Sequence, residues 1–389
     1  MTNRTYMDHS ATTPTREEVV EAMRPCYLEQ FGNASSVHGF GQEAHARLEE
    51  ARERVAARLG ASPAEIILTS GGTESDNLAL KGVALAMKEK GRHIITSTVE
   101  HLAVLKTCSW LENNGFEVTR LSVDGNGRVD PEDLRAELRS DTVIVSVMLA
   151  NNEVGVLQPI SEMAAILEDE GSNAVLHTDA VQAVGKIPVN VDTLGVDLMS
   201  VSGHKFYGPK GVGVLYRREG TRLSPVQHGG HHENNLRAGT QNVPGAVGLA
   251  TALDLACEER EGEAERLRGL RDRLQHGIMD AMEDVYLNGH SEYRLPHLLN
   301  VSIVGVEGES LLLSLDAEGI AVSTGSACTS GTLEPSHVLT AMDIPAEIAH
   351  GSLRFSLGRV NTEEDVDYVL QKLPPVVQRL RDMSPTYEV

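Results

Sequence analysis

The chain predicts an α/β protein, with a large domain built on a mostly parallel sheet followed by a smaller α+β domain. Three observations carry that reading. Apolar, β-branched runs alternate with helical patterns through the first 220 residues, the pattern of a sheet covered by helices on both faces. A long helix is expected from about Gly245, where Leu267, Leu270, Leu274, Ile278 and Met282 recur at helical spacing. At 389 residues the chain also exceeds one ordinary hydrophobic core. We place the large domain at 15–255, and the small one at 1–14 and 256–389.

Seven runs read as strands of the large sheet: Ile66–Thr69, His93–Thr96, Val118–Val123, Thr142–Met148, Ala174–His177, Val196–Val201 and Val212–Tyr216. Helical patterns lie between them at Thr73–Lys90, Val99–Asn113 and Pro159–Glu170. The last hundred residues hold fewer and shorter strands, at Asn300–Val304, Ala321–Ser323 and Leu353–Ser356. No internal repeat interrupts this order.

Composition removes several classes of function. No apolar run approaches the ~18–20 residues of a membrane span. The start, Met1-Thr-Asn-Arg-Thr-Tyr-Met-Asp8, lacks the apolar core of a signal peptide, so the cytoplasm is expected. Lys and Arg number 34 against 56 Asp and Glu, a net charge of −22, which disfavours binding to nucleic acid. Only eight of the basic residues are lysines. That bias suits a salt-rich cytoplasm, and a high-GC genome produces it equally well. The four cysteines, Cys26, Cys108, Cys257 and Cys328, are widely spaced, so neither a disulfide framework nor a zinc site is expected.

Ligands of open α/β sheets sit at the carboxyl ends of the strands, and the candidate residues fall there. Ser200-Val-Ser-Gly-His-Lys205 closes one strand, and Asp179-Ala-Val-Gln182 the strand before it. Pyridoxal phosphate (PLP) asks for that set: an amine to capture its aldehyde, a carboxylate facing its ring nitrogen, and donors for its phosphate. Lys205 supplies the amine and Asp179 the carboxylate. His101 offers a stacking face, and Asn152 and Gln182 suit the phenolic oxygen. Thr73, Ser202 and His204 suit the phosphate, with backbone N–H groups freed by Gly71-Gly72 at a helix start. Each has a bland reading alone: Gly-Gly-Thr as a helix cap, Asn151-Asn152 as a turn, His101 as a structural residue. Their joint occurrence favours the cofactor. Gly208-Pro-Lys-Gly-Val-Gly213 lacks Walker spacing and reads as a turn into a strand.

A second stretch, Ser323-Thr-Gly-Ser-Ala-Cys-Thr-Ser330, sets Cys328 among small residues with little to bury. A loop of that composition is expected to be mobile, so that its thiol could meet a substrate and then reach an acceptor.

The chain resembles the cysteine desulfurases (NifS/IscS-like), class-V aminotransferase-like PLP enzymes of fold type I. The resemblance runs almost end to end: Asp8–Pro14, Phe31–His38, Thr69–Asn77, Glu100-His101, Ala150–Gly155, His204–Gly211, Arg237–Thr240, Gly325–Cys328 and Arg354–Arg359. It implies the cofactor roles given above. It also assigns Thr240 to the phosphate of a partner subunit in a homodimer, and Arg354, with Asn33, to the substrate. The activity implied is removal of sulfur from L-cysteine, giving L-alanine and a persulfide on Cys328, with Lys205 and His101 as the other catalytic groups. The sulfur would then pass to an iron–sulfur scaffold or a tRNA-thiolation carrier. Two departures stand out. Gly72 replaces a customary alanine, which should matter little. The loop His228-Gly-Gly-His-His-Glu233 carries extra histidine, though no metal site is expected there.

Rival readings are a selenocysteine lyase, a class-V aminotransferase, or a sulfur-delivery subunit with dormant chemistry. An aminotransferase has no use for Cys328, and intact Lys205, Asp179 and Cys328 argue against dormancy.

Overall fold

The computed structural model describes residues 4–324 and 335–383. Strands are numbered in chain order: β1 (Thr5–Tyr6), β2 (Ile66–Thr69), β3 (His93–Ser97), β4 (Glu117–Leu121), β5 (Thr142–Ser146), β6 (Val175–Asp179), β7 (Leu198–Ser202), β8 (Gly213–Arg217), β9 (Val285–Leu287), β10 (Leu298–Ile303), β11 (Ile320–Ala321) and β12 (Ser352–Ser356). The seven expected runs form one sheet in the order β2-β8-β7-β6-β5-β3-β4.

Neighbours from β7 through β4 are parallel, whereas β8 runs antiparallel to both β2 and β7. The reversal has a simple cause. Only residues 203–212 separate β7 from β8, and a parallel crossover needs roughly a dozen residues or more. The Gly208–Gly213 segment is indeed a turn into a strand. A Cβ on Gly213 would lie 2.6 Å from the Cα of Gly71, so glycine is required where these backbones meet.

Side chains alternate across the sheet as the pleat dictates. Ile94, Ile144, Leu198 and Leu215 pack in the core that contains Leu78, Leu80 and Val83 of the helix Gly72–Met87. Ile95, Val145, Met199 and Val214 belong to the opposite core, with Leu48 and Val55 of the helix Gly39–Leu59.

The long helix spans Val243–Ala281, and its two halves serve different cores. Val243, Val247, Leu249 and Leu253 join the large-sheet core. Leu267, Leu270, Leu274 and Ile278 join a second core with Leu299, Val301, Leu353 and Phe355 of β10 and β12. There β12, β10 and β9 make a small antiparallel sheet, while β1 pairs in parallel with β11. The amino-terminal strand is thereby tied to the last third of the chain. The described helices include none long and apolar enough to cross a membrane.

Candidate active site

A cleft of about 350 Å³ opens at the carboxyl ends of β2, β3, β5, β6 and β7. It is lined by Gly72, Thr73, His101, Asn152, Asp179, Gln182, Ser202, His204, Lys205 and Arg354. These ten expected residues come from sequence positions as far apart as 72 and 354, and the fold draws them to one edge of the sheet.

Lys205 ends a single 3₁₀ turn directly after β7. Its Nζ donates to the carbonyls of Ser10 and Ala11, at 2.6 and 2.8 Å. Asp179 is the last residue of β6 and is 6% exposed; its Oδ1 accepts from Val181 N at 2.9 Å. Burial raises its proton affinity, while the adjacent His101 and Lys205 oppose that shift. His101 caps the helix Leu102–Glu112, its Nδ1 accepting from Ala103 N at 3.1 Å. Burial lowers its pKa, with Asp179 pulling the other way and Lys205 adding to the drop. A neutral ring with Nδ1 so engaged carries its proton on Nε2.

The phosphate side is shaped by Gly71 and the amino end of the helix Gly72–Met87. Gly71 has φ +150° and ψ −176°, a conformation open to glycine. Thr73 is exposed at the helix start, where backbone N–H groups lack intrahelical acceptors. Ser202 and His204 complete this corner. Burial, aided by Lys205 and Lys210, brings His204 down to about 4, so it is neutral near pH 7 and meets Thr12 Oγ1 at 3.1 Å.

Gly72 matters more than its sequence suggests. A Cβ there would meet Val181 Cγ2 at 2.7 Å. Val181 is β-branched and stiff at χ1, so an alanine would have to displace it, contrary to the expectation of little effect.

Arg354 reaches the cleft from β12, only 3% exposed. It donates to Asp8 Oδ1 at 2.7 Å and to the Asn152 carbonyl at 2.9 Å. Its Nε and the Gln182 Oε1 are buried without partners among the described residues. A cleft holding a lysine amine, a buried carboxyl, a glycine-lined helix start and unpaired polar atoms fits PLP with an amino-acid substrate.

The remaining expectations fall elsewhere. Thr240 is exposed and does not line this cleft. Asn33 is also exposed, its Oδ1 accepting from Ser35 N at 2.9 Å. Cys328 lies outside the described residues. In the histidine-rich loop, Glu233 binds Arg52 at 2.8 Å and Leu68 N at 2.9 Å, and His232 Nδ1 accepts from Gly239 N. Among the described residues, the group of three with metal-ligand spacing is instead Asp76, His101 and Asp179, inside the cleft.

Sequence reasoning missed Asp76, Ser10 and Ala11. Asp76 had a signal, lying three residues after Thr73 and so on the same helix face. The Ser10 and Ala11 carbonyls had none, since a backbone contact 195 positions distant leaves no mark on residue type.

The aminotransferase class-V family matches residues 5–369. A cysteine desulfurase IscS of Dictyoglomus turgidum is 55% identical over 385 residues, covering 99% of this chain and 97% of the relative. A second, of Methanosarcina thermophila, is 55% identical over 380 residues, covering 98% and 93%. A solved NifS-like protein superposes with a TM-score of 0.92 at 43% identity, covering 97% of this chain and all of the other.

Proposed function

The chain belongs to the aminotransferase class-V family, and from that premise we infer that it is a PLP-dependent cysteine desulfurase, taking sulfur from L-cysteine and leaving L-alanine. One observation carries the reading: Lys205, the buried Asp179 and the buried Arg354 line a single cleft. When bound there, PLP supplies an electron sink for the bonds at the substrate's α-carbon.

The chain's own groups then divide the work. Lys205 Nζ would hold the cofactor covalently and, once freed, would take the substrate's α-proton. Asp179 would keep the ring nitrogen's proton in place. Arg354, anchored by Asp8 and the Asn152 carbonyl, has an Nε–H left unpaired among the described residues and would hold the substrate carboxylate. His101 presents an Nε2–H donor beside the reacting atoms. The Cys328 thiolate attacks the substrate sulfur: the new S–S bond forms as the Cβ–S bond breaks, and that electron pair stays with carbon, which takes up a proton. The outer sulfur then passes to an acceptor thiol.

The coarser surroundings complete the proposal. We read 15–255 as the cofactor domain, and 1–14 with 256–389 as the domain carrying the cysteine loop. Thr240, exposed beside Arg237, which is fixed by Glu74 at 2.7 Å, is read as reaching a partner subunit in a homodimer. The exposed rings of Phe31 and Phe40, 5.5 Å apart, favour such an association. We assign Asn33 to the substrate side, the acceptor to an iron–sulfur scaffold or tRNA-thiolation carrier, and the enzyme to the cytoplasm.

The test is chemical. The purified protein, incubated with L-cysteine, should release alanine and gain one sulfur atom on the Cys328 peptide. Alanine without that gain would reassign the nucleophile; pyruvate in place of alanine would refute the desulfurase.

A further inference from the structure

Beneath the cofactor cleft lies a second carboxyl that none of the roles above uses. Asp76, on the second turn of the helix Gly72–Met87, is 1% exposed and lines the cleft, and its Oδ1 has no hydrogen-bond partner among the described residues. One oxygen of Asp76, one oxygen of Asp179 and a ring nitrogen of His101 all lie within 4.8 Å of one another. Two buried carboxylates so close cannot both hold a charge cheaply.

Their surroundings decide which keeps the proton. Asp179 has His101 and Lys205 on its side and the Val181 N–H at 2.9 Å. Asp76 faces Asp179, with Glu100 as a further like group, and burial raises its proton affinity well above the ordinary value. The nearest imidazole, His177, is 3.8 Å away and held neutral by burial, its pKa near 3. It is also engaged elsewhere, bonding Ser146 Oγ at 2.8 Å and Ser200 Oγ at 3.0 Å. The Ser200 hydroxyl is the group that favours an ionised Asp76.

We propose that Asp76 is a positioning residue for the cofactor ring: it remains a neutral acid and offers its O–H to the Asp179 carboxylate. Asp179 then carries the charge of the pair alone and is held in orientation toward the ring nitrogen. At this separation one water or a small side-chain rotation completes the contact. The inference rests on the assignment of Asp179 to that nitrogen.

The experiment compares holoenzymes of Asp76→Asn, Asp76→Ala and Asp179→Asn by PLP release rate and by the pH dependence of the bound cofactor's visible spectrum. Apo-protein melting serves as a control. Asparagine keeps a donor that cannot ionise, so Asp76→Asn should stay within about twofold of wild type in release rate. Asp76→Ala should release PLP at least about fivefold faster and shift the spectral transition. Wild-type behaviour of Asp76→Ala, or equal damage by both Asp76 variants, would overturn the proposal. Should Asp76→Ala fail to fold, infrared difference spectra of wild type minus Asp76→Asn decide: a protonated-carboxyl band supports a neutral Asp76, and a carboxylate band overturns it. If Asp179→Asn itself leaves retention and spectrum unchanged, the assignment of Asp179 fails instead, so the two failures are distinguishable.

Discussion

Glu100, beneath the cleft, and Glu112, at the end of the helix that follows, are twelve residues apart and live in opposite electrostatic worlds. Glu100 is wholly buried, and burial pushes its pKa up to about 8; it accepts from Ser97 Oγ at 2.6 Å and Met148 N at 2.9 Å but pairs with no cation among the described residues. Glu112 meets Arg120 at 2.8 Å on the surface, and that bond holds it below the ordinary carboxylate value. Glu153 resembles Glu100: buried and raised to about 7, it accepts from Ser336 Oγ. The exterior spreads its acidic excess among arginines, whereas the cleft floor stores protons on carboxyls. Charge in the floor is concentrated where a cofactor can use it.

The largest effect should come from breaking the floor at Asp179. Asp179→Asn removes the carboxylate facing the ring nitrogen and should lower desulfurase activity at least about 10²-fold, measured as alanine release. An unchanged kcat would mean the floor's charge is not catalytic.

The pH dependence of stability separates the two regions by sign. Glu100 and Glu153 have folded values above the ordinary 4.5, so between that value and about 8 the folded chain binds protons that the unfolded chain releases. Stability from the floor therefore falls as pH rises through this window. The surface carboxylates, such as Glu112 and Glu318, are held below 4.5 and act oppositely, losing stability as pH falls below it. Buried imidazoles such as His177 and His204, held near 3 and 4, gain stability as pH rises toward their ordinary value and oppose this trend. The floor is therefore read as a difference: in denaturant unfolding of the apo-proteins, the stability of wild type minus that of Glu100→Gln should fall by on the order of 2–4 kcal/mol from about pH 5 to about pH 8. A difference that does not change with pH would remove Glu100 as a source.

Smaller effects sharpen the contrast. Gly72→Ala crowds Val181 and should cost about 1–3 kcal/mol, with weaker PLP retention. A Val181→Ala background should relieve it. On the exterior, Arg120→Ala breaks the Glu112 pair and should cost under about 1 kcal/mol, falling further in salt. A larger loss there would erase the distinction between floor and surface.

How much of this was legible in the sequence follows the same division. The floor's strand-end residues were readable because each sits one or a few positions beyond an apolar run, so that Asp179, Gln182, Ser202 and Lys205 announce their own edge of the sheet. The direction of β8 was not, since strand periodicity carries no polarity and only the short 203–212 connection fixes it. Contacts between distant parts of the chain were illegible for another reason. Arg354 and Asp8 are 346 residues apart, and nothing local marks either as the other's partner. Gly72 was underrated because its constraint comes from Val181, a side chain on another element.

The measurement that bears most directly on the chemistry is a parallel assay of Cys328→Ser and Lys205→Ala with L-cysteine. It records the visible spectrum, alanine yield and intact mass. Serine exchanges a thiol of pKa ~8.5 for a hydroxyl that barely ionises and attacks sulfur poorly. Cys328→Ser should therefore keep PLP and still change colour with cysteine, yet release no alanine and gain no sulfur. Lys205→Ala should lose the covalent hold on PLP and α-proton removal together. Borohydride should fix the cofactor on Lys205 in wild type, rather than on Lys210 or on Lys186, whose pKa burial and Lys205 lower to about 7. Near-normal alanine release by Cys328→Ser would contradict the assignment of the loop thiol and leave a PLP lyase of another kind.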